Sequence, residues 1–251
     1  MTIIYVISAL FLSSVGSVAL AGLMLLLKNE KLERVSTWLM YLAGGTLIGA
    51  AFLGMIPKAL SMSDPGRILQ TVMFGILLFF VLEKIILWRS CRNKNCERHM
   101  HAAAPIILIG DAFHNAIDGV VIAASFLTST DLGIFVTLSI LLHEIPQELG
   151  DFGILIKGGY SRKKAFWYNT LSGITAVVFG VAAFYTLDSL RSLIPYALAF
   201  SASSFLYIAL ADLIPEMHSK TSLKASLSQI LLIALGILTI YVSLQINLMC
   251  K

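Results

Sequence analysis

The sequence predicts an all-α membrane protein of eight transmembrane helices, and three observations carry that reading. Hydrophobic residues make up 58% of the chain and charged residues only 13%, with a mean hydropathy of +0.87. A soluble domain would be about 25% charged, so this chain lacks the polar surface to cover a globule in water. The apolar residues fall into eight long runs, each near the roughly 20 residues a helix needs to cross a bilayer. The lysines and arginines lie between those runs, mostly in alternate loops.

The first run, 3–27, has no lysine or arginine before it. A secretory signal would show a basic start, a shorter apolar core and a small-residue cleavage site, so this long run reads as a retained span. The others are 37–57, 67–88, 103–128, 132–157, 164–187, 192–214 and 225–249. None shows the alternating ten-residue pattern of a barrel strand. The connections are short, so 1–251 reads as a single transmembrane domain, with a cytoplasmic loop at 89–102. Three cysteines, Cys91, Cys96 and Cys250, are too few for a disulfide framework.

Of the 18 lysines and arginines, 14 fall on one side of the alternation and 4 on the other. The richer side is cytoplasmic by the positive-inside rule. With eight spans, both termini then face outward from a plasma or inner membrane. The net charge of +4 is explained by topology, and no nucleic-acid partner is expected.

The fourth and fifth runs break the apolar pattern. They read "DAFHNAIDGVVIAASF" (111–126) and "LLHEIPQELGDFGILI" (141–156). Their midpoints put His114, Asn115, His143 and Glu144 near the bilayer centre, where an ionisable group costs about 2.5–3.5 kcal/mol or more. His114 and Asp118 are i and i+4 on one helix face, as are His143 and Gln147 on the next. Asn115 and Glu144 flank those faces. Pro146 removes a backbone donor and frees the Leu142 carbonyl. A lone buried histidine is more often hydrogen-bonded core, and a lone amide more often interhelical glue. A concentration of such residues on two neighbouring helices points to function. Imidazole with carboxylate favours zinc, with iron, manganese and cadmium next.

These stretches resemble the ZIP (Zrt/Irt-like) family of divalent metal transporters: "HNAIDG" is similar to its HNxxDG signature, and "HEIPQELGDF" to its HExPHExGD signature. The resemblance implies helices one to three and six to eight as inverted repeats around the central pair, a 3+2+3 bundle. It implies one metal position of His114, Asp118, His143 and Gln147. An adjacent position would use Asn115, Asp118, Glu144 and Gln147, with Asp118 and Gln147 bridging. It implies import of a divalent ion, Zn²⁺ first, as substrate, with no required cofactor. The implied partners are the ion and the lipid bilayer, with a homodimer as the assembly to test. Gln147 departs from the family pattern, where histidine or glutamate is common. In span two "AFLGMIPKAL" replaces the family's AFLHLLPE, so Gly54 and Lys58 stand where metal would be helped in.

The repeat leaves a trace in the sequence. "GMIPKAL" closes span two and "DLIPEMH" closes span seven, on opposite membrane faces. Aligned on Pro57 and Pro215, the small residues Gly44, Gly45 and Thr46 fall on Ala202, Ser203 and Ser204, and Asp212 falls on Gly54. Asp212 is thus a candidate auxiliary ligand. Asp111, Glu148 and Asp151 lie cytoplasmic of the histidines and, with Glu144, are candidates for an acidic exit path, the alternative for Asp151 being an interfacial acid paired with Lys157 or Arg162. In the loop, Cys91, Cys96, His99 and His101 have zinc-like spacing, set against a strongly basic surrounding.

"HEIPQ" is one residue short of the H-E-x-x-H metalloprotease motif, so an intramembrane zinc protease is the rival reading. A channel or a non-transporting sensor is a second rival. No nucleotide-binding G-x-x-x-x-G-K-[ST] occurs. Metal binding by these groups needs neutral imidazole and ionised carboxylate, so occupancy is expected to fall below about pH 6. A metal titration that gave equal affinity at about pH 5 and about pH 7.5 would contradict this.

Overall fold

The computed structural model describes residues 2–90, 99–218 and 222–249. Among them the chain is helical almost throughout and holds no strand. The first crossing is α1 (Thr2–Ser13) followed by α2 (Val15–Met24). The break falls where the Ser13 and Ser14 hydroxyls donate back to the Leu10 carbonyl, a bond that competes with the helix ladder and bends it. The second crossing is α3 (Asn29–Gly49), a π-helical segment Ala50–Met55, and α4 (Ile56–Met62). It extends the apolar run 37–57 at both ends, because Asn29–Thr37 is rich in helix formers despite its charge.

Single helices make the next four crossings: α5 (Pro65–Ser90), α6 (His99–Thr128), α7 (Thr130–Lys157) and α8 (Arg162–Ser189). A 3₁₀ turn, Arg191–Leu193, leads to α9 (Ile194–Tyr207), a π-helical segment Ile208–Leu213 and α10 (Ile214–His218), and α11 (Leu223–Met249) is last. Side chains of Asp64, Ser129, Ser161 and Ser222 accept the N–H of Arg67, Leu132, Lys164 and Ala225. These caps satisfy orphan donors and set where α5, α7, α8 and α11 begin. Between α7 and α8 the chain turns on Gly159, whose φ of 85° favours a residue without Cβ. Seven of the crossings are long and apolar enough to traverse a membrane. The eighth, α6, has 30 residues and carries the polar group at its centre.

The central pair is α6 and α7. On one flank α8 packs against α6 and α1 and α2 pack against α7; elsewhere α3 packs against α11 and α5 against α9. Exchanging crossings one, two and three with six, seven and eight, and four with five, turns each of these contacts into its partner. That is the relation an inverted repeat requires. The register repeats as well. A Cβ at Gly45 would collide with the Ile233 carbonyl, and one at Gly75 with the Ser203 hydroxyl. Gly45 maps onto Ser203, and Gly75 onto Ile233, by the offset that carries Pro57 onto Pro215. Close backbone approach replaces hydrophobic burial as the source of packing in lipid.

The two π segments sit at matching places in the repeats, each ending just before its proline. Ile56 and Ile214 bond back to the Ala51 and Ala209 carbonyls, one residue beyond the α-helical partner. Pro57 and Pro215 have no N–H to offer the preceding turn, and a widened turn accommodates the loss.

Candidate metal site

His114 and Asp118 project from α6, and His143 and Glu144 from α7. The i, i+4 spacing sets His114 and Asp118 on one face of α6, while Glu144, next to His143, is brought to the seam by the packing of the two helices. The two Nε2 atoms are 3.2 Å apart. His143 Nε2 lies 3.3 Å from Asp118 Oδ2 and 3.6 Å from Glu144 Oε1. His114 Nε2 lies 3.4 Å from Glu144 Oε1 and 3.9 Å from Asp118 Oδ2. An ion bound tetrahedrally by nitrogen and oxygen at about 2.0–2.1 Å holds its ligand atoms roughly 3.3 Å apart. The group therefore has the dimensions of a tetrahedral metal centre.

Its surroundings orient it. His143 Nδ1 is 3.1 Å from the Ser139 carbonyl, an acceptor only, so Nδ1 carries the proton and Nε2 turns a lone pair inward. This is the outer bond that fixes a ligating imidazole. Phe205 of α9 packs edge-on against the same ring, centroids 6.1 Å apart. Asp118, His143 and Glu144 are buried. Both oxygens of Asp118 and of Glu144 lack a hydrogen-bond partner. Unpaired buried carboxylate oxygens are costly unless a cation meets them.

The two amides of the sequence-derived set turn elsewhere. Asn115 Nδ2 and Gln147 Nε2 each donate to Asp111 Oδ1, both at 3.1 Å. Glu144 Oε1, rather than the Gln147 amide, approaches the Nε2 atoms of both histidines. Asp111, Glu144 and Glu148 form a second group of acids. Asp151 is buried and has one unpaired oxygen. For Asp212, within Ile208–Leu213, only the backbone position is described. Cys91 and Cys96 lie outside the described residues, and His99 and His101 are described by backbone alone, at the start of α6.

A cavity of about 340 Å³ leads to the site, and its lining includes Asp111, His114, Gln147, Asp151, Glu83 and Tyr207. Tyr207 donates its hydroxyl proton to Glu83. Val121, Ile122, Val136 and Ile140, farther along the same two helices, belong to a buried apolar cluster with Ala50, Met55 and Ala199. Glu83 escaped the sequence reading because an acid beside Lys84 near a span end looks like an ordinary interfacial charge.

A family model described as ZIP zinc transporter matches residues 89–244, more than half of the chain. The chain belongs to the ZIP zinc transporter family. It is 32% identical to zinc transporter ZIP13 of Pongo abelii over 215 residues, which is 79% of this chain and 64% of that protein. It is 39% identical to zinc transporter foi of Drosophila melanogaster over 143 residues, 56% of this chain and 19% of that protein. With zinc transporter zipt-7.2 of Caenorhabditis elegans the identity is 36% over 151 residues, 58% of this chain and 32% of that protein. The chain thus spans less than two thirds of the length of each of these three relatives. Both signature stretches, and all four residues of the histidine group, fall within the ZIP match.

Proposed function

We propose that this ZIP protein carries a divalent transition metal, Zn²⁺ foremost, across the membrane, and that His114, Asp118, His143 and Glu144 bind the ion in transit. One observation supports this above the others: four ligand atoms from two antiparallel helices converge at tetrahedral spacing beside a cavity. The names of the relatives, all zinc transporters, point the same way. With both termini outward, as the lysine and arginine bias argues, the cavity opens toward the cytoplasm. The direction is then import, with release past Asp111 and Asp151. The site would reach the other face by rocking or sliding of one helix group against another.

The test is uptake of radioactive zinc into proteoliposomes. Saturable uptake by wild type is expected, lost in His114→Ala, Asp118→Ala and His143→Ala alike. Flux that never saturates would favour a channel, and bound zinc without flux a sensor.

The protease reading fits the geometry less well. A general-base glutamate must stand free of the metal to activate water. Glu144 Oε1 instead sits at ligand spacing from both histidines, and Gln147, in the second histidine's place, bonds Asp111. Glu144→Gln is expected to weaken zinc binding together with uptake. A protease would keep its zinc and lose only hydrolysis.

A further inference from the structure

The start of α8 breaks a rule of helix electrostatics. Arg162, Lys163 and Lys164 fill its first turn, where the helix dipole is already positive and cations are disfavoured. All three are exposed. Among the described residues, the ion pairs are those of the two histidines with Asp118 and Glu144, and the surface pair Arg191–Asp188. No carboxylate there answers the three cations. The Ser161 hydroxyl takes the Lys164 N–H. The amides of Arg162 and Lys163, first in the helix, have no acceptor within it. Fixed cations and helix-start amides together favour an anion.

An apolar groove begins at the same place. A cavity of about 410 Å³ lies between α2, α7 and α8, lined by Leu23 and Leu26, Phe152 and Phe166, and Arg162 and Lys163. Lys164 is not part of that lining; it borders a separate hollow of about 340 Å³ with Tyr160 and Ser161. Gly22, also in the groove wall, keeps it open. A Cβ there would stand 3.6 Å from the Phe166 ring and 3.9 Å from the Phe152 ring. Those are ordinary contacts, so a longer side chain would fill the space without displacing backbone. Arg162 to Phe166 is about one turn of α8, roughly 6 Å, enough for a headgroup and the first carbons of a chain. Trp167 and Tyr168, exposed on the next positions, mark the lipid–water boundary at this level. The cations therefore stand among headgroups, and the groove leads inward.

We propose that this groove binds an anionic phospholipid, its phosphate-bearing headgroup held by Arg162 and Lys163 at the start of α8 and its first chain carbons lying against Phe152, Phe166 and Leu23. Charge complementarity selects the lipid. In a bilayer an acyl chain is what fills an apolar groove, and two unanswered cations at its mouth select a chain whose headgroup is negative. On the orientation that the lysine and arginine bias argues, this end faces the cytoplasm, the leaflet that carries the anionic lipids.

The experiment titrates the purified full-length protein in detergent with phosphatidylglycerol, and separately with phosphatidylcholine of the same chains, and counts retained lipid by native mass spectrometry. Phosphatidylglycerol is expected to bind at least 10-fold more tightly than phosphatidylcholine. Arg162→Gln and Lys163→Gln are each expected to weaken it about 5-fold, while Lys164→Gln, which removes the same charge outside the groove, changes it less than about 2-fold. Gly22→Leu, which fills the groove, is expected to weaken it about 10-fold with all the charges kept. Inorganic phosphate in large excess is expected not to displace the lipid. Zinc binding by dialysis is expected to stay at the wild-type level in every variant, since none of these residues belongs to the histidine group. Equal losses in Lys163→Gln and Lys164→Gln would mean diffuse surface attraction and would overturn the proposal. Equal affinity for the two lipids, unchanged affinity in a folded Gly22→Leu, or displacement by inorganic phosphate would overturn it as well. If Gly22→Leu does not fold, the three charge variants and the comparison of the two lipids decide the matter.

Discussion

Replacing His143 with alanine is expected to lower Zn²⁺ affinity by about 100-fold or more and to reduce uptake to the level of empty vesicles. Mutating the outer partners of a metal ligand commonly costs 10–100-fold, and removing the ligand itself should exceed that. His143 is the best anchored member of the site. Its Nδ1 bond to the Ser139 carbonyl fixes the tautomer, Phe205 braces the ring, and its Nε2 is within 3.6 Å of three other candidate ligand atoms. Little ordering entropy remains to be lost when the ion binds, so the full strength of the bond appears as affinity. His114 is the more open member, its side chain 18% exposed at the cavity. Its loss is expected to abolish uptake too, but to reduce zinc affinity less. Zinc affinity in His143→Ala within a factor of about 2 of wild type would remove this histidine from the site, since each tenfold change is only about 1.4 kcal/mol.

The second large effect concerns packing. Gly45→Ala is expected to destabilise the protein by about 2–3 kcal/mol, near the upper end for overpacking. Its new Cβ would meet the Ile233 carbonyl, which is backbone and cannot rotate away. No side-chain change at Ile233 is expected to rescue it. Gly75→Ala, in the contact that the repeat makes equivalent, meets the Ser203 side chain instead. It is expected to cost about 1–2 kcal/mol and to be largely restored by Ser203→Gly. Thermal unfolding in detergent checks both, read for the two single variants and for each combined with its partner change, Ser203→Gly or Ile233→Ala. Equal rescue at the two positions would show that the contact on α11 is softer than its geometry indicates.

Much of the fold was legible because lipid imposes a single rule: a backbone must satisfy itself, so apolar length alone marks each helix. The repeat was legible from the two prolines and the small triplets, since close approach in a membrane demands small residues. The π-helical turns were not. A proline says that a backbone bond is lost, and it does not say how the preceding turn relaxes. Thus Pro57 and Pro215 follow π segments while α7 is one α-helix through Pro146.

The site divides in the same way. Periodicity put His114, Asp118 and His143 on facing surfaces, because their reach is short and their direction follows the helix. It could not tell where the rotatable amides of Asn115 and Gln147 would turn, and both turn to Asp111. Glu144 looked like a flanking residue by spacing alone, whereas helix packing brings it to both histidines.

The most direct measurement is anomalous diffraction from crystals of the wild-type protein soaked in zinc, with data on both sides of the zinc edge. The expected result is a peak between α6 and α7, about 2.0–2.2 Å from both Nε2 atoms and from Asp118 and Glu144 oxygens. Density at that point without an anomalous signal, or a zinc peak elsewhere while His114 and His143 stay unliganded, would contradict the account.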